Sequence, residues 1–215
     1  MRRKGFFVSI EGGEKAGKTT QAALLADRLR QQGFDTLVTR EPGGTATGEA
    51  IRSILLHSED HGLTAVSEAL LFAASRGQLV VEVIGPALEA GKVVVADRYV
   101  DSSLAYQGIA LSLPFEKVMA VNEWATGGLW PDLTVLLDCP DPATAAGRPR
   151  KGEADRIEKR QEDFHRRVAE GFRQLALQDP QRYVVVDASL PTDEVAEIIG
   201  SAVYGRITGK EVPGR

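Results

Sequence analysis

The sequence predicts an α/β fold in a single domain: an open, five-stranded, mostly parallel sheet with helices on both faces. Three observations predict it. Five short apolar runs alternate with longer stretches of helical periodicity. The run Val93-Val94-Val95-Ala96 has no polar residue on either face, as a strand covered from both sides requires. The first run passes through a glycine-rich turn directly into a helix, Phe6–Thr20 reading FFVSIEGGEKAGKTT. Right-handed crossovers then place helices on both faces. Ligands of such sheets bind beyond the carboxyl ends of the strands.

The elements follow in order. Phe6–Ile10 is the first strand and stops at Gly12-Gly13. Lys18 to Gly33 is a helix, with Ala22, Ala23, Leu25, Ala26 and Leu29 on one face and Gly33 at the C-cap. Asp35–Arg40 is the second strand and runs into the turn-rich loop Arg40-Glu41-Pro42-Gly43-Gly44. Thr47–His57 is helical. Ser67 is read as the cap of a long helix reaching toward Gly91, with Glu68 supporting its first turn and a break near Gly85-Pro86. Its apolar side is Leu70, Leu71, Ala74, Val80, Val81, Ile84 and Leu88. The third strand ends in Asp97-Arg98-Tyr99. A helix over Phe115–Thr126 leads to the strand Leu133–Asp138. A charged helix over Ala154–Gln178 precedes the last strand, Tyr183–Asp187, and Asp193–Tyr204 closes the fold. Residues 1–205 thus form the domain, and 206–215 a flexible tail.

The segment Gly12-x-x-x-x-Gly17-Lys18-Thr19 fits the phosphate-binding loop, with the strand before it and the helix after it that the motif needs. Gly12 and Gly17 free the backbone so that successive N–H groups, including those of Gly13, Glu14, Lys15 and Ala16, can point at phosphate oxygens. The helix N-terminus adds partial positive charge at the same place. Lys18 neutralises β- and γ-oxygens, and the Thr19 hydroxyl is placed to ligate Mg²⁺. Asp97, at the end of an apolar strand, is the matching carboxylate. Arg98 beside it cannot lose its charge and would hold the phosphate of an acceptor.

Composition narrows the function classes. The chain has 215 residues, 43% hydrophobic and 26% charged, within the ordinary globular range. A net charge of -4 argues against a general nucleic-acid binder. No apolar stretch reads as long enough to span a membrane, and the run behind Met1-Arg2-Arg3-Lys4 is too short for a signal sequence. The single Cys139 excludes an internal disulfide, is read as a packed core thiol and suits a reducing cytoplasm. His57, His61 and His165 are scattered and read as surface residues.

Five segments in order, EGGEKAGKTTQ (Glu11–Gln21), TREPGG (Thr39–Gly44), LLFAASRGQ (Leu70–Gln78), DRYVDSSLAYQG (Asp97–Gly108) and ADRIE (Ala154–Glu158), resemble the thymidylate kinases of the nucleoside monophosphate kinase superfamily. The resemblance covers about the first three quarters of the chain, and TREPGG and DRYVDSSLAYQG are its specific parts. It implies a P-loop NTPase fold with a small mobile lid at about residues 147–155, ATP and dTMP as substrates, Mg²⁺ as cofactor, and a homodimer with no nucleic-acid or membrane partner. It implies that Phe72 stacks on thymine and that Arg76, four residues on along the same helix face, reaches the base edge or acceptor phosphate. Arg98 would bind the dTMP phosphate, with Arg40 and Glu41 as the neighbouring wall. Tyr106 would lie against the deoxyribose, Ser102, Ser103 and Gln107 near the base, and Glu14 near the 3′-OH or acceptor phosphate.

Two departures from the family pattern stand out. Ser75 occupies a position where members often carry Asp or Asn, so a contact there is expected to be lost or water-mediated. The catalytic cation is split between two candidates: Lys15 in the phosphate loop, or a lid arginine among Arg148, Arg150 and Arg156, near Lys151 and with Pro149 shifting the pattern. The other open readings are a kinase for another acceptor, such as dUMP or a deoxynucleoside, and a nucleotide-dependent switch. No NKxD base-reading motif supports the switch. The far side of the long helix is expected to pair with a second copy.

Overall fold

A computed structural model describes residues 4–57, 62–139 and 155–209. His61, Arg148, Pro149, Arg150 and Lys151, with most of the expected lid and the end of the expected tail, lie outside the described residues.

Five strands form one parallel sheet in the order β2-β3-β1-β4-β5. They are β1 (Phe6–Gly12), β2 (Thr36–Arg40), β3 (Val93–Asp97), β4 (Leu133–Asp138) and β5 (Tyr183–Asp187). Around them lie α1 (Lys18–Gln31), α2 (Ala46–His57), α3 (Ala65–Leu79), α4 (Gly85–Glu89), α5 (Val100–Ser103), α6 (Phe115–Thr126), α7 (Glu162–Gln178) and α8 (Thr192–Thr208). The chain steps outward from β1 to β2, returns to β3, then crosses to β4. The order therefore reverses around β1, and a crevice opens at its carboxyl end.

The sheet has two unlike faces. Val8, Ile10, Val93, Val95, Val135 and Leu137 meet α1 and α8 in an apolar core. Phe7, Val94, Ala96 and Leu136 build the opposite core with residues of α2 through α7. Strand alternation also puts Ser9, Glu11 and Thr134, all fully buried, on that second side. Ser9 and Thr134 share a hydrogen bond of 3.2 Å. Thr134 donates to Asp101, which takes both Nη groups of Arg182 at 2.6 and 3.0 Å. A buried polar layer therefore underlies the crevice, with its carboxylate and hydroxyls satisfied.

Several boundaries differ from expectation for local reasons. The cap of α3 is Thr64, whose hydroxyl accepts from the Ser67 N–H; Ser67 lies inside the first turn. No break occurs at Gly85-Pro86. A π-helical turn, Val80–Ile84, carries α3 into α4, and Pro86 falls in the first turn of α4 where a missing N–H costs little. Contrary to expectation, one helical stretch, Ala65–Glu89, is long and apolar enough to cross a membrane by length and composition alone: it has 25 residues, and an 18-residue window within it has mean hydropathy 1.2. Fully buried Glu68 and Arg76 lie within it and find partners elsewhere in the domain.

Leu70 (51%), Ala74 and Val81 (72%) are exposed rather than inward. Helical α5 and the π-helical Leu104–Ala110 follow β3, where periodicity gave no element. The charged helix begins at Glu162, and α8 continues past Gly205 to Thr208. His165 is half-buried edge-on to Phe164, not a plain surface residue. Cys139 is half-buried against the first-named core.

Candidate active site

The phosphate loop begins where β1 runs out. Gly12 sits at φ 145°, and a Cβ there would meet the Leu137 carbonyl at 2.5 Å, so only glycine closes this turn. Gly17 at φ 94° delivers the chain into α1. No side chain caps α1 and no acidic residue occupies its first turn, so the N-terminal N–H groups are not engaged by a capping side chain. Lys18 is buried and donates to the Gly13 carbonyl at 2.6 Å. Burial, and after it Arg98, pulls the Lys18 ammonium down to about 8, against the support of Glu14, Asp97 and Glu11.

β3 lies beside β1, with Ile10 in register with Asp97. That pairing brings Asp97 to α1, where Thr19 donates to its Oδ2 at 2.5 Å. Arg98 follows with φ 74°, a conformation that costs a non-glycine residue energy. Its N–H is tied to the Ile10 carbonyl at 3.0 Å. Its side chain turns toward the phosphate loop. Nη2 donates to Glu14 at 2.8 Å, and Nη1 to the Gly12 carbonyl and to Ser102, each at 3.2 Å. The guanidinium lies 5.1 Å from the Tyr106 ring centre, and the Tyr106 hydroxyl donates to Glu14 at 2.6 Å. Burial opposes charge on Glu14, but Arg98, Lys18 and the Tyr106 hydroxyl outweigh it and bring the carboxyl down to about 2. Burial also drives the Tyr106 phenol well above its ordinary range.

The Glu14 shift gives a pH-dependence. The folded state binds fewer protons than the unfolded chain between about 2 and the ordinary value of 4.5. The stabilisation is complete above 4.5 and disappears as pH falls through about 2, an effect on the order of 3 kcal/mol. Glu14→Gln is expected to flatten the stability profile over that window in urea unfolding at fixed pH. An unchanged slope would show that Glu14 is not held by Arg98 in solution.

A cavity of about 610 Å³ joins these groups. Glu14, Lys15, Ala16, Gly17, Lys18, Thr19, Asp97 and Arg98 line it, with Arg40, Glu41, Phe72, Ser102, Ser103, Tyr106 and Gln107. Phe72 is half-buried against the core. Arg40 lies at the rim, half exposed, with its guanidinium on Glu49 at 2.8 Å. Ser102 donates to Glu11 at 2.6 Å. Arg76 does not line the cavity. It is 1% exposed, and its five N–H donors go to Glu41, Ser103, Asn122 and the Tyr99 carbonyl. Arg156 also stands apart from the phosphate loop, donating to the Leu55 carbonyl at 2.9 Å and to Glu68 at 2.5 Å. Ser75 keeps a contact, since its hydroxyl accepts from the Gly43 N–H at 3.2 Å.

Sequence reasoning passed over two groups of lining residues. Ala188 and Leu190, which follow β5, and Thr192 and Val195, in the first turn of α8, line the same cavity as the phosphate loop. Gln21 ties them in by donating to the Thr192 carbonyl at 3.0 Å. Nothing in their chemistry marks them; only the position of β5 two strands from β1 brings them there. The second group, Asp155, Ile157 and Glu158, lies within the ADRIE segment, where the motif assigns them no role. Glu11 and Asp101 likewise sit inside recognised motifs. Burial and Asp101 push the Glu11 carboxyl up to about 8, although it accepts from Ser102 and the Tyr99 N–H.

The family model described as Thymidylate kinase matches residues 10–199. The chain is 48% identical to the thymidylate kinase of Deinococcus radiodurans over 204 residues, covering 94% of this chain and 98% of that one. It is 47% identical to that of Geobacillus thermodenitrificans over 210 residues, 96% and 93% of the two chains. It is 49% identical to that of Thermomicrobium roseum over 199 residues, 92% and 94%. A model spanning most of the chain, and relatives covered nearly end to end, leave one placement: this chain belongs to the thymidylate kinase family.

Proposed function

We propose that this protein transfers the γ-phosphoryl group of ATP to the phosphate of dTMP, giving ADP and dTDP. The observation that carries the reading is that a phosphate loop with Lys18 and an acceptor group centred on Arg98 line one cavity. A dTMP phosphate oxygen forms the new P–O bond as the bond between the γ-phosphorus and the bridging oxygen of ADP breaks. That oxygen is already anionic at neutral pH, so positioning and charge neutralisation suffice.

In this reading Lys18 and the backbone amides of 12–19 hold the donor. Arg98, oriented by Glu14 and Tyr106, holds the acceptor phosphate. Phe72 faces the thymine ring, and Tyr106 crowds the position of a 2′-hydroxyl. Glu41 and Ser103 are fixed by Arg76, which acts through them. Thr19 and Asp97 are hard oxygen donors already in contact, and they fit Mg²⁺ as two of its ligands. When bound there, the ion would supply charge neutralisation at the β- and γ-oxygens. Two candidates remain for the bridging cation: Lys15, at φ 58° and lining the cavity, and Arg150, which lies outside the described residues. One cysteine and no internal disulfide suit a cytoplasmic setting.

An acceptor panel of dTMP, dUMP, dCMP, dGMP and thymidine with an ADP readout tests the activity. Turnover with dTMP well above the others is expected. ADP release that ignores the acceptor would instead favour a nucleotide switch.

A homodimer through the outer face of α3 completes the reading. Val66, Leu70, Ala74 and Val81 form an exposed stripe at helical spacing, and Trp124 of the adjoining α6 is 88% exposed. Sedimentation at micromolar concentration is expected to give twice the chain mass, and Leu70→Glu with Val81→Glu to give the single mass. A monomeric parent protein would remove this interface.

A further inference from the structure

Glu68 has no role in the site as described, and its place in the first turn of α3 accounts only for helix stability. The structure gives it more to do. It is completely buried, and three side chains from two other segments converge on it. Oε2 accepts from Arg156 at 2.5 Å and from Arg160 at 2.6 Å. Oε1 accepts from Nε2 of Gln107 at 3.0 Å. Gln107 is itself 1% exposed and lines the acceptor end of the cavity with Phe72, Ser103 and Tyr106.

A primary amide has a donor end and an acceptor end that can be exchanged by a half-turn. With two guanidinium groups on its other oxygen, the Glu68 carboxylate offers Gln107 only an acceptor. The NH₂ of Gln107 must therefore face Glu68, and the carbonyl Oε1 must face away from it. That oxygen accepts no hydrogen bond from any described residue, and it belongs to a residue on the cavity wall. A lone glutamine beside a base could satisfy either a ring N–H or a ring nitrogen lone pair. A glutamine locked in this way can satisfy only the N–H.

We propose that Glu68 is a positioning residue for acceptor specificity: by fixing the amide of Gln107, it makes the pocket select pyrimidines carrying N3–H over those with an unprotonated N3. This rests on the reading of the cavity as the dTMP site. Arg156 and Arg160 belong to the same device, because they keep the carboxylate seated and its second oxygen occupied.

The test compares kcat/KM for dTMP and for 5-methyl-dCMP, which differ only at positions 3 and 4 of the ring. The native protein is expected to favour dTMP strongly, since a mismatched acceptor leaves buried polar groups unpaired. Glu68→Gln keeps the volume but lets Gln107 turn over, and the dTMP preference is expected to fall on the order of tenfold. Equal losses for both acceptors, with the ratio unchanged, would reduce Glu68 to a structural residue and overturn the proposal. Should Glu68→Gln fail to fold, Gln107→Leu decides. A collapsed ratio supports the reading of the base by Gln107 on which the lock depends, and an unchanged ratio overturns the lock because Gln107 then reads nothing. Failure of the native protein to phosphorylate dTMP at all would instead remove the activity reading, a result separable from any change in ratio.

Discussion

Arg98→Ala is expected to lower kcat/KM for dTMP on the order of 10²–10³-fold, the usual scale for losing one preorganised charge-stabilising donor. ATP affinity is expected to change little, because in the proposed function Lys18 and the loop amides hold the donor. The reasoning is geometric. Arg98 is held at φ 74° by the Ile10 carbonyl, and its guanidinium is oriented by Glu14, Ser102 and the Gly12 carbonyl. Replacing it removes a fixed positive charge from the acceptor half and leaves Glu14 with one fewer cation. Arg98→Lys keeps the charge but not the planar fork, so an intermediate loss is expected. Steady-state kinetics with varied dTMP, alongside ATP binding by calorimetry, measure both halves. Unchanged kcat/KM for dTMP would sink the assignment of Arg98 to the acceptor.

Arg76→Ala is expected to act on stability first, costing about 3–5 kcal/mol, as removal of one member of a buried ion pair does. Arg76 and Glu41 are 1% and 2% exposed at their side chains. Alanine would strand Glu41 without a cation and free Ser103 and the Tyr99 carbonyl at once. Burial already pushes the Glu41 carboxyl upward, with Arg76 opposing it. For a chain of this size the loss corresponds to roughly 10 °C in Tm. The double change Arg76→Met with Glu41→Leu is expected to recover much of that loss, since no charge then lies buried. Thermal and urea unfolding of both variants decide it. A loss under about 1 kcal/mol for Arg76→Ala, the range of solvent-screened pairs, would show that the pair is not dry in solution.

Legibility in the sequence followed how local each signal was. The strands are short apolar runs bounded by polar or glycine-rich turns, and each appears within a residue or two of its expected bounds. α1 is nearly as plain, because its apolar face and the Gly33 stop lie within one segment; of that face only Ala23 is exposed. The helical stretch after β3 was not. Val100–Ala110 carries Asp101, Ser102, Ser103 and Gln107, polar residues that serve partners distant in sequence rather than a helix face turned to water. Ser67 reads as the cap of α3, yet Thr64, three residues earlier, is the cap, because the two are equally good cap chemistry. Only the backbone at Thr64, φ -68° and ψ 156°, chooses between them.

By itself the sequence determined the parallel α/β architecture, the phosphate loop and the family, because each is written in contiguous residues: hydrophobic period, glycine spacing and motif order. It also named most of the residues that line the cavity. Only the tertiary structure decided what those residues face. Arg76 and Arg98 are both arginines in recognised motifs, yet one has all its donors spent inside the domain and the other opens onto the cavity. Glu11, Asp101 and Glu68 are carboxylates whose hydrogen-bond partners lie 33 or more residues away and whose burial no local pattern reveals. The physical reason is that a charge's role depends on its neighbours and its access to water, and both are set by strand order and helix packing rather than by adjacency in the chain.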